Sequence, residues 1–146
     1  MDRSRRGREA DRKGRDAETA ARNALERDGW CVLARRIRTA AGEIDMVAEK
    51  HGLLAIVEVK ARPTLADAAV SLSLRQQARL IGAADIILAN NPAWGAEGVR
   101  FDLLLVDAAG RVRRIADAFR GDGSPTLSAA MDDGGVYPIR PGTRCR

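Results

Sequence analysis

Residues 42–60 read GEIDMVAEKHGLLAIVEVK, and apolar side chains alternate with others on both sides of a short polar break. Alternation of this kind is typical of β-strands, and a short break that contains glycine is typical of a hairpin turn. If His51 and Gly52 form that turn, the residue numbers of cross-strand partners sum to 103. The pattern therefore predicts a β-hairpin in which Asp45 lies directly opposite Glu58.

The same register places Glu43 opposite Lys60. All four side chains then project from one face, because side chains alternate along a strand. Two carboxylates that face each other across a ladder normally destabilise it. With a third carboxylate and a lysine beside them, they predict a cation site. The alternative is a solvated outer face on which Glu43 and Lys60 form an ion pair.

Length and composition favour a single domain. The chain has 146 residues, of which 45% are hydrophobic, enough to form a core. No run of about eighteen apolar residues occurs, so we expect no membrane partner, and the basic N-terminus lacks the apolar stretch of a signal peptide. Cys31 and Cys145 lack metal-ligand spacing, and we expect both to be free thiols in a reducing cytoplasm.

The net charge of +5 is unevenly distributed. Residues 1–15 carry a net charge of +4, whereas residues 16–119 are neutral overall. We expect 1–13 to be a disordered basic arm, 14–120 to be the folded domain and 121–146 to be a flexible tail. The arm either binds phosphates or only aids solubility, and charge alone does not decide between the two.

Capping signals and apolar periodicity predict the order of the elements. They indicate one helix over 16–28, stopped by Gly29, and a second over 74–89, capped by Ser73. The expected apolar face of the second helix comprises Leu74, Ala78, Ile81, Ala84, Ile87 and Leu88. The predicted strands are 30–37, 44–48, 53–59, 99–106 and 111–115. The order αβββαββ predicts an α/β fold with a mixed sheet and helices packed on it.

Four motifs occur along the chain in a fixed order. They are Gly14 with Glu18, Gly42-Glu43-Ile44-Asp45, Val57-Glu58-Val59-Lys60-Ala61-Arg62 and Arg100-Phe101-Asp102. In these motifs the chain resembles the small bacterial YraN proteins, also called UPF0102. That family is a branch of the PD-(D/E)xK nuclease superfamily and is related to archaeal Holliday junction resolvases. The resemblance implies a restriction-endonuclease-like αβββαβ core, with a mixed central sheet flanked by helices.

The resemblance also implies a reaction and the residues that carry it. We expect an endonuclease that depends on Mg²⁺ or Mn²⁺ and hydrolyses DNA, including branched or junction DNA. The implied metal ligands are the side chains of Asp45, Glu58 and Glu18 and the carbonyl of Val59. Lys60 completes the catalytic set by orienting the attacking water or stabilising charge, and Glu43 takes a supporting place behind the ligands. The four catalytic side chains should converge in one pocket at an end of the sheet.

Several points stay open at this level. Without the resemblance, Glu18 is better explained as a favourable charge near a helix N-terminus. The expected nucleic-acid contacts are Arg62, Arg75 and Gln76, although the family usually has lysine where Gln76 stands. Asp102 and Trp30 are interpreted as structural. The alternative to an endonuclease is a non-catalytic nucleic-acid-binding or accessory protein. The sequence does not decide between DNA and RNA as the partner, or between a monomer and a homodimer.

Overall fold

A five-stranded β-sheet forms the centre of the structure, a computed structural model that describes residues 3–65 and 72–119. Its strands, in chain order and in spatial order, are β1 (Cys31–Thr39), β2 (Gly42–Lys50), β3 (Leu53–Ala61), β4 (Gly98–Val106) and β5 (Val112–Phe119). The helices are α1 (Arg3–Arg27) and α2 (Leu74–Asn90). Strands β3 and β4 pair in parallel, and the other neighbours pair antiparallel. The predicted α/β class and mixed sheet are confirmed.

The β2–β3 hairpin keeps the predicted register along its paired part. Met46 pairs with Val57, and every pair from there to the turn has the same sum of residue numbers. The ladder ends at that pair, and the Asp45 side chain accepts a hydrogen bond from the N–H of Val59 at 2.8 Å. The predicted direct pairing of Asp45 with Glu58 is therefore wrong, because the ladder stops one residue earlier.

The two helices pack on opposite faces of the sheet. On β3, Leu54 and Ile56 belong to the core beneath α2, whereas Ala55 and Val57 belong to the core beneath α1. All four are fully buried, as expected for a strand that is covered on both faces. Because side chains alternate along a strand, Glu58 continues the row of Leu54 and Ile56 and faces α2.

Helix α1 begins at Arg3 and not at Asp16. The expectation that residues 1–13 are disordered is therefore wrong for the part of them that the structure describes. Residues 4–16 are exposed, and Ala17 is the first buried residue of the helix. The predicted start at Asp16 directly precedes this first buried residue. A helix nucleated by packing, however, extends into an exposed segment at little cost.

The predicted end of α1 and the predicted start of α2 are confirmed. At the end of α1, the N–H of Trp30 donates to the carbonyl of Leu25, and Gly29 has a left-handed φ of +85°. This is the Schellman arrangement, which glycine favours. At the start of α2, the Ser73 hydroxyl accepts from the N–H of Gln76, and the Gln76 side chain accepts from the N–H of Ser73. These two bonds form a capping box.

The buried face of α2 differs from the predicted one. It comprises Leu80, Ala83, Ala84 and Ile87. Leu74, which was expected on that face, is 77% exposed, so the face is rotated by roughly a quarter-turn about the helix axis. The capping box stabilises the first turn of α2, so Leu74 need not be buried. The rotation of α2 about its axis brings Arg79 close to the sheet.

The state of Cys31 differs from the one predicted. Cys31, the first residue of β1, is disulfide-bonded and is not the free thiol that we expected. A disulfide depends on the distance and orientation of two cysteines in space, so separation along the chain does not exclude one. Cys145 and the predicted tail, 121–146, lie outside the described residues. Neither helix of the described part of the chain is apolar enough over a sufficient length to cross a membrane.

Candidate functional site

Asp45 lies where β2 leaves its ladder with β3. Its Oδ2 atom accepts the hydrogen bond from the N–H of Val59. Burial is the largest cause that raises the pKa of Asp45 to about 6, and the negative charges of Glu58 and Glu18 add to it. The Val59 N–H and the Lys60 ammonium group act in the opposite direction. Asp45 is therefore a carboxylate whose charge is poorly compensated at neutral pH.

Glu58 is buried beneath α2, with 6% of its surface exposed. Its Oε1 atom lies 3.3 Å from Lys60 Nζ and 3.4 Å from Arg79 Nη2. Lys60 thus pairs with Glu58, which contradicts the alternative in which it pairs with Glu43. Two cations on one buried oxygen provide the charge pairing that burial requires. The structure therefore brings Asp45, Glu58 and Lys60 together, as the sequence predicted, and adds Arg79.

Arg79 reaches Glu58 by passing over Gly42, the residue that opens β2. A Cβ atom at Gly42 would lie 2.6 Å from Arg79 Cδ and closer still to Cγ. Gly42 also has a φ of +145°, which side chains rarely allow. Arg79 was not among the residues predicted from the sequence. Its position one helical turn beyond Arg75 and Gln76 is the signal that could have identified it.

Glu18 projects from α1 towards β1. Its Oε2 atom lies 2.8 Å from Arg36 Nε, and this hydrogen bond raises the pKa of Arg36 above its usual range. Arg36 has a left-handed φ of +50°, which is uncommon for an arginine in a strand. The pair borders an open cavity of about 450 Å³, lined by Arg15, Glu18, Thr19, Arg35 and Arg36.

The expectation that Glu18 shares one pocket with the other catalytic side chains stays a prediction. Arg36 on β1 holds its carboxylate, and the cavity that it lines does not include Asp45, Glu58 or Lys60. Glu18 nevertheless lies close enough to Asp45 to raise the pKa of that carboxyl.

Glu43 belongs to the β1–β2 hairpin and not to the β2–β3 ladder. It pairs with Arg38 on β1, and its Oε2 atom lies 3.6 Å from Arg38 Nε. The Arg38 side chain is 88% exposed, so this ion pair contributes little to stability. The geometry gives Glu43 no supporting contact with Asp45 or Glu58, and that part of the prediction is not supported.

The three residues expected to contact nucleic acid differ in availability. Arg75 is exposed in the first turn of α2. The Gln76 side chain is occupied by the capping box with Ser73, so its expected role as a phosphate contact is not supported. Arg62 follows β3, where its N–H donates to the carbonyl of Val106 and its side chain donates to the preceding carbonyl.

Asp102 has the structural role that we expected. Its side chain is fully buried and accepts hydrogen bonds from Arg100 Nη2 at 2.9 Å and from the N–H of Asp117 at 3.0 Å. The second bond lies where the β4–β5 register shifts. Arg100 lies over the ring of Trp30 at 4.9 Å from its centroid, so Trp30 is also a packing residue.

Within residues 3–65 and 72–119, no group of three or more His, Cys, Asp or Glu side chains is arranged to hold a metal ion. Asp45 and Glu58 are two carboxylates that act on each other electrostatically where β2 and β3 separate. The carbonyl of Val59 belongs to the same segment.

The element order and the mixed sheet define an α/β protein with an αβββαβ core. Residues 17–106 match the uncharacterised protein family UPF0102. The chain therefore belongs to that family.

Relatives from several bacteria agree with this assignment. A UPF0102 protein of Granulibacter bethesdensis is 62% identical over 117 residues, which cover 80% of this chain and 74% of that protein. A UPF0102 protein of Acidiphilium cryptum is 46% identical over 115 residues, 79% of this chain and 89% of that protein. A third, from Azorhizobium caulinodans, is 43% identical over 119 residues, 82% of this chain and 91% of that protein.

Proposed function

We propose that this protein is an endonuclease that depends on Mg²⁺ or Mn²⁺ and hydrolyses phosphodiester bonds of DNA, including branched or junction DNA. The observation that carries the proposal is the arrangement of Asp45 on the Val59 N–H, beside Glu58 and Lys60. Neighbouring carboxylates destabilise a sheet when nothing bridges them. Their presence where β2 and β3 separate therefore supports a role beyond folding.

The donor atoms fit a hard divalent cation. Mg²⁺ takes oxygen ligands and keeps several waters, so it needs few protein ligands. Asp45, Glu58 and the carbonyl of Val59 would hold it, and Glu18 could join only after leaving Arg36. A cation at this place would compensate the negative charge that, after burial, raises the pKa of Asp45.

The side chains around these carboxylates have distinct roles in the proposed reaction. Bound Mg²⁺ supplies charge neutralisation and a more acidic water. Lys60, held at 3.3 Å from Glu58, places an ammonium group where it can orient the attacking water or offset the charge that develops on the phosphate. Arg79 restrains the same Glu58 oxygen from α2.

A thermal-shift series with and without divalent metal tests the proposal. Mg²⁺ or Mn²⁺ at about ten times its Kd should stabilise the wild type by about 1.4 kcal/mol, a shift of several degrees in Tm. Asp45→Asn should lose most of this gain. Glu43→Gln removes a neighbouring carboxylate that pairs with Arg38 on β1, so it should keep the gain.

Cleavage is measured on a panel of fluorescent linear, flapped, four-way and single-stranded substrates. Lys60→Ala should retain the metal-dependent stabilisation yet lose at least about a hundredfold in cleavage rate, the usual cost of removing one charge-stabilising group. If the wild type is not stabilised by either metal and cuts no substrate, the nuclease proposal fails.

The alternative is a nucleic-acid-binding or accessory protein without catalysis. One observation favours it: Lys60 and Arg79 already compensate the negative charge of Glu58. In that case nucleic acid should bind equally well with and without divalent metal, and Asp45→Asn should not change its affinity.

A further inference from the structure

We propose that α1 and β1 carry a binding track for the phosphate backbone of double-stranded nucleic acid. The arginine track consists of Arg5, Arg8, Arg12 and Arg15 of α1 and Arg35 of β1. It deepens the proposed function, on which it rests, by placing the part of the substrate that lies away from the scissile bond. Four of its five residues precede residue 17, where the family match begins.

Helix geometry places the α1 part of the track on one side. Arg5, Arg8, Arg12 and Arg15 are spaced by three, four and three residues, so at about 100° per residue they share one side of the helix. That side is opposite the one that Ala17 and the other buried residues of α1 present to the sheet. All four are exposed, and the row extends for about 15 Å.

The guanidinium groups of the track are available for contacts with phosphate. Across 3–65 and 72–119, no acidic side chain forms an ion pair with any of the five track residues. Other basic side chains of α1 are paired: Lys13 Nζ lies 3.8 Å from Glu9, and Arg22 Nε lies 2.9 Å from Glu26. Unpaired guanidinium groups suit phosphate oxygens, which they bind with two parallel hydrogen bonds.

The track leads to the candidate site. Arg15 and Arg35 line the cavity that also contains the Glu18–Arg36 pair. Glu18 in turn lies within electrostatic range of Asp45. A backbone that follows α1 would therefore reach the cavity that holds Glu18, whose charge acts on Asp45, so one bound duplex could contact the track and lie near the site at the same time.

The composition of the exposed half of α1 favours nucleic acid over a lipid surface. Ala10 is the single apolar residue among residues 4–16. A helix that lies on a membrane needs an apolar face to enter the lipid, whereas phosphate contacts need only positive charge. A straight row of charges at fixed spacing also suits the regular backbone of a duplex better than a flexible single strand.

Binding of a fluorescent random-sequence DNA duplex, measured by anisotropy in EDTA over a series of salt concentrations, tests the track. EDTA prevents cleavage, so binding is read separately from catalysis. The triple variant Arg5→Gln/Arg8→Gln/Arg12→Gln should bind more weakly, and the slope of log K against log salt should fall by about 2.7, or 0.9 for each lost phosphate contact. Arg35→Gln should lower the slope by about 0.9.

The matched control is Arg6→Gln/Lys13→Gln/Arg27→Gln, which removes the same charge from other sides of α1. The control should change the slope of log K against log salt by less than a third of the change in the triple track variant. Glutamine is close to arginine in helix propensity, and circular dichroism confirms that both variants keep α1. An equal loss in both triple variants would overturn the track, because it would mean that net charge alone drives binding.

Two further outcomes would contradict the proposal. A single strand of the same length that binds as tightly, with the same dependence on the track, would contradict duplex binding. Vesicles of phosphatidylserine and phosphatidylcholine that bind through the track while the duplex does not would make it a lipid-binding surface. The metal-dependent thermal shift should be unchanged in the track variant, so failure of the track and failure of the metal site are distinguishable.

Discussion

At the scale of single residues, Asp45 makes folding stability depend on pH. Burial and its neighbours raise its pKa from 3.8 to about 6 in the folded state. Because the folded pKa is above the unfolded one, the contribution of Asp45 to folding stability is largest below about pH 4 and is lost as the pH rises through 6. Asp45→Asn should therefore stabilise the metal-free protein above pH 6, by about 1–2 kcal/mol after allowance for solvent screening. Urea unfolding between pH 4 and 8 measures this, and the difference should vanish at the acidic end.

Asp107 supplies a control of opposite sign. Burial raises the pKa of Asp107, but hydrogen bonds from the backbone and side chain of Arg111 and from the Ala109 N–H outweigh it, so the pKa is lowered. Asp107→Asn should destabilise the protein at neutral pH, and the difference should shrink as the pH falls through the folded pKa. Stabilisation by both substitutions would mean that removal of negative charge in general, and not the setting of Asp45, causes the effect.

Substitution of Gly42 tests whether the Arg79 side chain packs against Gly42 where it reaches Glu58. Gly42→Ala should destabilise the protein by about 1–3 kcal/mol, because alanine is strained at this φ and its Cβ meets the Arg79 stem. In the Arg79→Ala background the steric part disappears and only the backbone part remains. In a double-mutant cycle measured by urea unfolding, the double variant should therefore lose less stability than the sum of the losses in the two single variants. Purely additive effects would mean that Arg79 does not rest on Gly42 in solution.

The candidate site was predictable from sequence to the extent that local strand geometry determines it. The spacing of Asp45, Glu58 and Lys60 follows from one hairpin register, which a turn at His51 and Gly52 determines. Arg79 could not be placed in the same way, because its contact depends on how α2 rotates against the sheet.

At the scale of elements, α1 divides into an exposed half and a packed half. Amides of residues 7–16, which have helical hydrogen bonds but no burial, should exchange with solvent much faster than those of residues 20–27. Hydrogen exchange followed by mass spectrometry measures this, with α2 as an internal reference for a packed helix. Equal protection of the two halves would indicate that another surface covers the basic half.

The same helix shows where apolar periodicity stops being informative. Its packed half was predicted from Ala17 onwards, and its end at Gly29 followed from the conformation that glycine allows. The exposed half has no apolar pattern, since it buries nothing, so its helical state depends on propagation from the packed half. Periodicity records burial and not helicity.

At the scale of the whole molecule, the order of elements and the mixed sheet were predictable because strands and helices alternate in their apolar patterns. Strand β5 was predicted too short. It extends to Phe119, whose ring stacks on Phe101 with the centroids 4.6 Å apart. The register shift between β4 and β5, where Asp102 accepts from the N–H of Asp117, interrupts the alternation of side chains along β5. A contact between residues far apart in sequence thus determines where that strand ends.

The parallel pairing of β3 with β4 has a consequence for the order of events during folding. Strands β1, β2 and β3 are contiguous and can form from local contacts, whereas Leu53 meets Gly98 only after α2 has crossed the sheet. Closing so long a loop is slow compared with forming a hairpin. Asp45 and Glu58 therefore come together early, before Arg79 arrives with α2. The open end of the β2–β3 hairpin should remain mobile until α2 packs on the sheet. The site is therefore the last part of the β1–β2–β3 segment to become rigid.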